Sequence, residues 1–234
     1  MRQLTNSLFF TLGALVGSQV KLRFDQYQQP YPMPHQWAGL LDHPWRLRYR
    51  KPAETVDAFG IMPNMTVIDL GCGTGAFTVE LAQRVGADGR VHAVELQAAF
   101  LQQARQRVQS AGLQNRVHFH HCGAYALPLE TSSVDLAIVI ATLSQIPNKL
   151  VALSELRRVL KPGARLAISE ELLDPAYAPP PLVRRWLTAA GYRYVGQSGT
   201  PFCYNQLYVT DKEPNTVDVV PKVTSNVTIV DTQS

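Results

Sequence analysis

Cysteine is scarce in this chain and badly spaced for pairing. Cys72, Cys122 and Cys203 are the three among 234 residues, and no two form a C-x-x-C pair. That spacing argues against a disulfide framework and against a structural zinc site. A membrane-spanning run is also missing, because the uncharged stretch 3–20 is short and polar for a span. The same stretch offers no convincing small-x-small cleavage site, so a secretory leader is not expected. Most of the chain lacks a charge bias as well. Residues 1–52 hold seven Lys/Arg against two acids, whereas the remainder holds fifteen bases and sixteen acids. The net charge of +4 therefore belongs to the N-terminal segment. There, Leu4, Leu8, Leu12 and Leu15 recur at helical spacing. That pattern predicts an amphipathic helix that packs on the domain or lies on a membrane surface.

What is present is a regular alternation of strand and helix signals. "QQPYPMPH" (28–35) reads as an extended connector, followed by a helix over 51–59 and a buried strand over 65–70. Helices over 75–86, about 97–111 and about 148–160 alternate with strands at 90–96, 116–121, 134–141 and 164–171. Such alternation implies right-handed crossovers and a doubly wound parallel sheet. After a helix near 180–190, two strands follow with no room for a crossover, which predicts an antiparallel C-terminal hairpin. His118 and His120 share one face of a strand and are read as packing rather than ligation. No metal site is expected. The chain divides into an apolar and basic extension with its connector (1–34), one α/β domain (35–211) and a tail (212–234).

"DLGCGTGA" (69–76) leaves the first strand and enters a helix. Ligands of open parallel sheets bind at the carboxyl ends of strands, and glycine lets the backbone approach them closely. Gly71, Gly73 and Ala76 have the spacing of a dinucleotide loop, so glycine alone serves NAD as well. The acids discriminate. Asp69 would repel a pyrophosphate but welcome a ligand bearing ammonium and sulfonium groups. Glu95 ends the second strand, placed to accept hydrogen bonds from two ribose hydroxyls. Together they favour S-adenosylmethionine over NAD.

In these residues the chain resembles the class I S-adenosylmethionine-dependent methyltransferases. "VIDLGCGTGAF" (67–77) is similar to their motif I, and "VHAVEL" (91–96) to their ribose-binding strand end. "SVDLAIVIATL" (133–143) and "ELRRVLKPGARLAISE" (155–170) are similar to two later segments of that class. Within it, "LKPGARLAISEELLDP" and "LPL" (127–129) most resemble the ubiquinone/menaquinone-biosynthesis methyltransferases. The resemblance implies a Rossmann-like, seven-stranded, mostly parallel sheet and S-adenosylmethionine as methyl donor. It also implies a donor site of Asp69, Gly71, Cys72, Gly73, Thr74, Gly75, Glu95, Leu96, Gly123, Ala124 and Ile140. One departure stands out: Gly123-Ala124 replaces the acid–Ala pair that meets adenine in those relatives, leaving that contact to backbone or to the Cys122–Tyr125 segment.

Methyl transfer needs alignment and exclusion of water more than a dedicated base, and no catalytic motif is visible. An N-P-P-Y-like segment is missing after the fourth strand, where "IATLSQIPN" stands, which disfavours DNA-adenine and protein-glutamine methylation. "LLDHPWRLRYRKP" (40–52) is expected over the mouth of the donor site, unless it is a simple capping turn. Acceptor-side candidates are His43 as a base, Glu170 and Glu171 at a strand end, and Tyr204 on the hairpin. The expected acceptor is a small, lipophilic, quinol- or phenol-like molecule. Arg46, Arg48 and Arg50 suggest anionic lipid headgroups better than RNA. The expectation is a cytoplasmic enzyme, with peripheral membrane contact as one option; the alternatives are a donor-binding module without turnover, a methyltransferase for RNA or another small molecule and, last, an NAD-dependent oxidoreductase.

Overall fold

The computed structural model describes residues 17–200 and 202–210. Helix α1 (17–28) leads through the connector to α2 (Ala38–Leu41), α3 (Pro44–Arg50) and α4 (Pro52–Asp57). Then come β1 (Thr66–Leu70), α5 (Ala76–Arg84), β2 (Arg90–Glu95), α6 (Ala98–Ser110), β3 (Val117–His121) and β4 (Val134–Ile140). Helix α7 (Lys149–Val159), β5 (Leu160–Glu171), α8 (Pro180–Ala189), β6 (Tyr192–Thr200) and β7 (Cys203–Thr210) complete the order. One seven-stranded sheet runs β3-β2-β1-β4-β5-β7-β6. The first five positions are parallel, and β7 is antiparallel to both β5 and β6. This is the doubly wound sheet with a terminal hairpin that the sequence pattern predicts.

The parallel strands are apolar on both faces because helices cover both. Val67, Leu136 and Ile138 pack with Leu81 of α5 and Leu101, Ala104 and Val108 of α6. Ile68, Leu166 and Ile168 turn the other way, against Leu153 and Leu156 of α7 and Val183 and Leu187 of α8. Each such side chain contributes roughly 1.5–3 kcal/mol by leaving water.

Two features of the elements have local causes. Segment 40–52 is neither one helix nor a bare turn: α3 opens with Pro44 and ends at Lys51, whose φ of 47° forces the break before Pro52. Strand β5 starts at Leu160, earlier than 164, because Leu160 pairs with Val134 ahead of a register shift between Val134 and Leu136. The β3–β4 connection, residues 122–133, contains no helix. His118 and His120 stand on the same side as His92, and the His92 and His120 rings meet at 3.0 Å between nitrogens. Among the described residues, no group of three His, Cys, Asp or Glu is arranged to hold a metal ion. Among them, too, no helix is long and apolar enough to cross a membrane. The predicted helix around Leu4–Leu15 and the tail 212–234 lie outside the described residues.

Candidate functional site

The sheet order reverses between β1 and β4, since β2 continues on one side and β4 on the other. A cavity of about 410 Å³ opens at the carboxyl ends of these strands, where such folds bind their ligands. The loop after β1 forms its floor. Gly71 has φ 75°, and a Cβ there would overlap the Thr142 side chain, so the approach of the β1 and β4 ends requires glycine.

Two acids reach this floor. Asp69 is buried, and its Oδ2 accepts from Thr78 Oγ1 at 2.6 Å. Burial pushes its carboxyl up to about 6; the Glu95 charge adds to this and the Thr78 hydroxyl opposes it. Glu95 accepts from Gly73 N–H at 3.0 Å and from Gln97 N–H at 2.9 Å, which ties the glycine loop to the end of β2. Burial raises the Glu95 carboxyl too, against the hydrogen bonds from backbone N–H groups. Two carboxyls raised by burial in a mostly apolar cavity, with the Glu95 charge adding to the rise at Asp69, fit a ligand carrying positive charge and hydroxyls. A pyrophosphate would meet repulsion there.

The opposite wall comes from outside the sheet. Pro32 and Met33 of the connector, Leu41 of α2 and Arg46 of α3 face Gln145, Ile146, Pro147 and Asp174 from the loops after β4 and β5. Met33 N–H donates to Gln145 Oε1 at 2.8 Å, and Gln97 Nε2 donates to Met33 O at 2.8 Å. Asp42 Oδ1 accepts from Thr74 Oγ1 at 2.7 Å and from Arg107 at 2.8 Å, pinning the α2–α3 corner to the glycine loop. The N-terminal segment is thereby strapped across the cavity.

A family model described as a methyltransferase domain matches residues 61–189. The chain belongs to that family. Among its relatives, it is 37% identical over 117 residues to the demethylmenaquinone methyltransferase of Lactiplantibacillus plantarum, covering 50% of this chain and 49% of that one. It is 32% identical over 152 residues to the 2-phytyl-1,4-naphtoquinone methyltransferase of Trichormus variabilis, covering 64% of each. The chain thus spans about half of the one relative's length and a little under two thirds of the other's. The crystal structure of a SAM dependent methyltransferase from Aquifex aeolicus superposes with a TM-score of 0.68 at 28% identity, over 76% of this chain and 99% of that one.

In this methyltransferase domain, Asp69, Gly71, Cys72, Gly73, Thr74, Glu95, Leu96, Gly123, Ala124 and Ile140 all line the cavity. Gly75 does not. It has φ 82° and lies against α6, where a Cβ would come within 2.9 Å of Ala104, so it serves helix packing.

The acceptor-side expectations need correcting. His43 is exposed and off the cavity wall; its Nδ1 accepts from Trp45 N–H at 3.3 Å as the cap of α3. Tyr204 is buried and donates to Ala178 O at 2.5 Å, a core role. Glu170 is buried off the cavity wall beside Ser144, and its carboxyl is pushed well up by burial. Glu171 is held by Arg46 at 2.5 Å and by Arg50 at 3.9 Å. Those ion pairs also remove two cations from the expected lipid-facing patch. Arg50 is 1% exposed, Arg46 points into the site, and of the three Arg48 alone is exposed.

Sequence reading missed Gln97, Thr142, Gln145 and Asp174. Gln97, Thr142 and Gln145 stand shortly after strand ends, a usable signal; Pro32 and Met33 had none, being brought in by the strap alone.

Proposed function

We propose that this chain moves a methyl group from S-adenosylmethionine to a lipophilic, hydroxylated aromatic ring. The observation that carries the reading is the pair Asp69 and Glu95 in an otherwise largely apolar cavity at the sheet's switch point. Asp69 would take the ammonium group, Glu95 the ribose hydroxyls, and Leu96, Phe100 and Ile140 the flanks of adenine. Gly123 and Ala124 would offer adenine backbone groups. The bound donor supplies a methyl already activated on sulfonium, so the chain's own task is to align the acceptor and keep water out. Pro32, Met33, Leu41 and Ile146 suit that task for an apolar ring. The demethylmenaquinone and 2-phytyl-1,4-naphtoquinone in the relatives' names support the same acceptor class.

Titration calorimetry with S-adenosylmethionine and S-adenosylhomocysteine, followed by labelled-methyl transfer to a short-chain 1,4-naphthoquinol, tests this. Heat with both nucleosides and label on the ring are expected. The absence of heat sinks the reading, and heat without label on any hydroxylated ring favours a donor-binding module instead.

The location proposed with this function is a membrane surface, on a footing other than the arginines. Val20, Phe24 and Tyr27 recur at helical spacing on α1 and are 62%, 62% and 75% exposed. Leu40 and Trp45 are exposed on the corner that covers the cavity. A lipophilic acceptor could pass from the lipid to the cavity across this apolar face.

A further inference from the structure

We propose that Asp174 is the catalytic base of this site, removing the proton of the acceptor's ring hydroxyl. This rests on the methyltransferase reading above and adds the residue that the sequence does not reveal.

The cavity wall leaves few choices. Asp69 and Glu95 stand at the donor end and are committed there. Burial raises the Cys72 thiol well above its ordinary range and raises Cys122 as well, which makes both poor proton acceptors near neutrality. Among the described residues that line the cavity, Asp174 is the one carboxylate besides Asp69 and Glu95, and Ile146 and Pro147 line the same cavity. Its Oδ1 accepts from Ala176 N–H at 2.7 Å, which fixes the carboxylate plane. No hydrogen bond from a described residue engages Oδ2.

The setting suits a base. Burial lifts the Asp174 carboxyl to about 6, the Glu171 charge adds to this, and Ala176 N–H, Arg46 and Arg23 oppose it. Glu170, whose own carboxyl is raised partly by Asp174, faces it from β5. A base in that range is mostly ionised at neutral pH yet basic enough to share a phenolic proton.

Asp174 takes the hydroxyl proton, and the oxygen's electron pair passes into the ring and raises density on the neighbouring carbon. That carbon's pair forms the new bond to the methyl as the methyl–sulfur bond breaks, its pair going to sulfur to leave a neutral thioether. The ring carbon's hydrogen then departs to water while Asp174 returns its proton to the oxygen, so one proton is released overall.

The test compares Asp174→Asn and Asp174→Glu with the full chain, using labelled S-adenosylmethionine and a reduced short-chain 1,4-naphthoquinol. Asp174→Asn should lower kcat about 100-fold or more, a typical contribution of a general base. Its affinity for S-adenosylhomocysteine by calorimetry should stay within twofold. The wild-type fall in kcat below about pH 6 should disappear in Asp174→Asn, and Asp174→Glu should restore part of the rate. An Asp174→Asn protein that binds the donor product normally and keeps kcat within threefold overturns this proposal alone. Wild-type protein that binds the donor but labels neither the naphthoquinol nor a simple catechol overturns it together with the acceptor class.

Discussion

Asp69 shows how one buried carboxylate can report on its ligand. With its carboxyl near 6, the cavity holds part of a proton there under mildly acidic conditions. A cationic group placed beside it would pull that value down, so binding must release a proton in that range. Donor affinity should therefore rise as pH increases from about 5 to 7 and level off above. The sign is opposite for the ligand-free fold: between the ordinary aspartate value of 3.8 and about 6 the native chain holds more protons than the unfolded one. This group's contribution to stability therefore falls as pH rises through that window. Asp69→Asn should weaken S-adenosylmethionine by about 1–3 kcal/mol at pH 7.5, the usual size of a lost charge-assisted hydrogen bond. It should also flatten the pH dependence measured by calorimetry. A variant whose affinity still climbs across pH 5–7 would assign the titration to another group.

At the scale of elements, α3 is the piece whose role the sequence hid. Its alternating arginines read as a solvated or lipid-facing strip, but a helix turns residues two apart to different sides. Arg50 donates to Ser169 Oγ at 3.1 Å and to Cys203 Sγ at 2.8 Å, and its guanidinium lies 5.3 Å from the Phe77 ring centre. It thus clamps α3 to β5 and β7 beside Glu170 and Glu171, two acids buried at one strand end. Replacing Arg50 with Met leaves these carboxylates without their buried cation. The expected loss is about 3–5 kcal/mol, as when one member of a buried pair is removed, read from urea unfolding at pH 7.5. A change below 1 kcal/mol would mean that Arg46 alone neutralises Glu171. The strap over the cavity belongs to the same scale. Its hydrogen bonds join Met33 to Gln145 and Gln97, two glutamines that follow different strands.

For the whole molecule, the apolar face of α1 and the strapped cavity form one surface problem. Exposed Val20, Phe24 and Tyr27 cost solvation unless something covers them. If lipid does, the double variant Val20→Asp, Phe24→Asp should float with anionic vesicles several-fold less than the parent protein while binding S-adenosylhomocysteine equally. Equal flotation of the two proteins would withdraw the membrane proposal.

The division between what the chain's linear order revealed and what folding added follows the range of the interactions involved. Strand and helix periodicity, the glycine loop and the acids near the ends of β1 and β2 depend on near neighbours, so they were legible, and with them one end of the cavity, the proposed donor end. Even there the need for glycine at Gly75 comes from Ala104 on another helix, a neighbour that no local pattern names. The proposed acceptor end joins residues 32–46, 145–147 and 174, which come together only when the strap crosses the sheet. Whether an arginine or carboxylate there faces solvent, a partner or the cavity is decided by desolvation and pairing in three dimensions, and no local pattern encodes that choice. His43, Glu171 and Asp174 are all titratable residues in loops or at element ends; burial and partners separate the helix cap from the ion pair and from the carboxylate on the cavity wall.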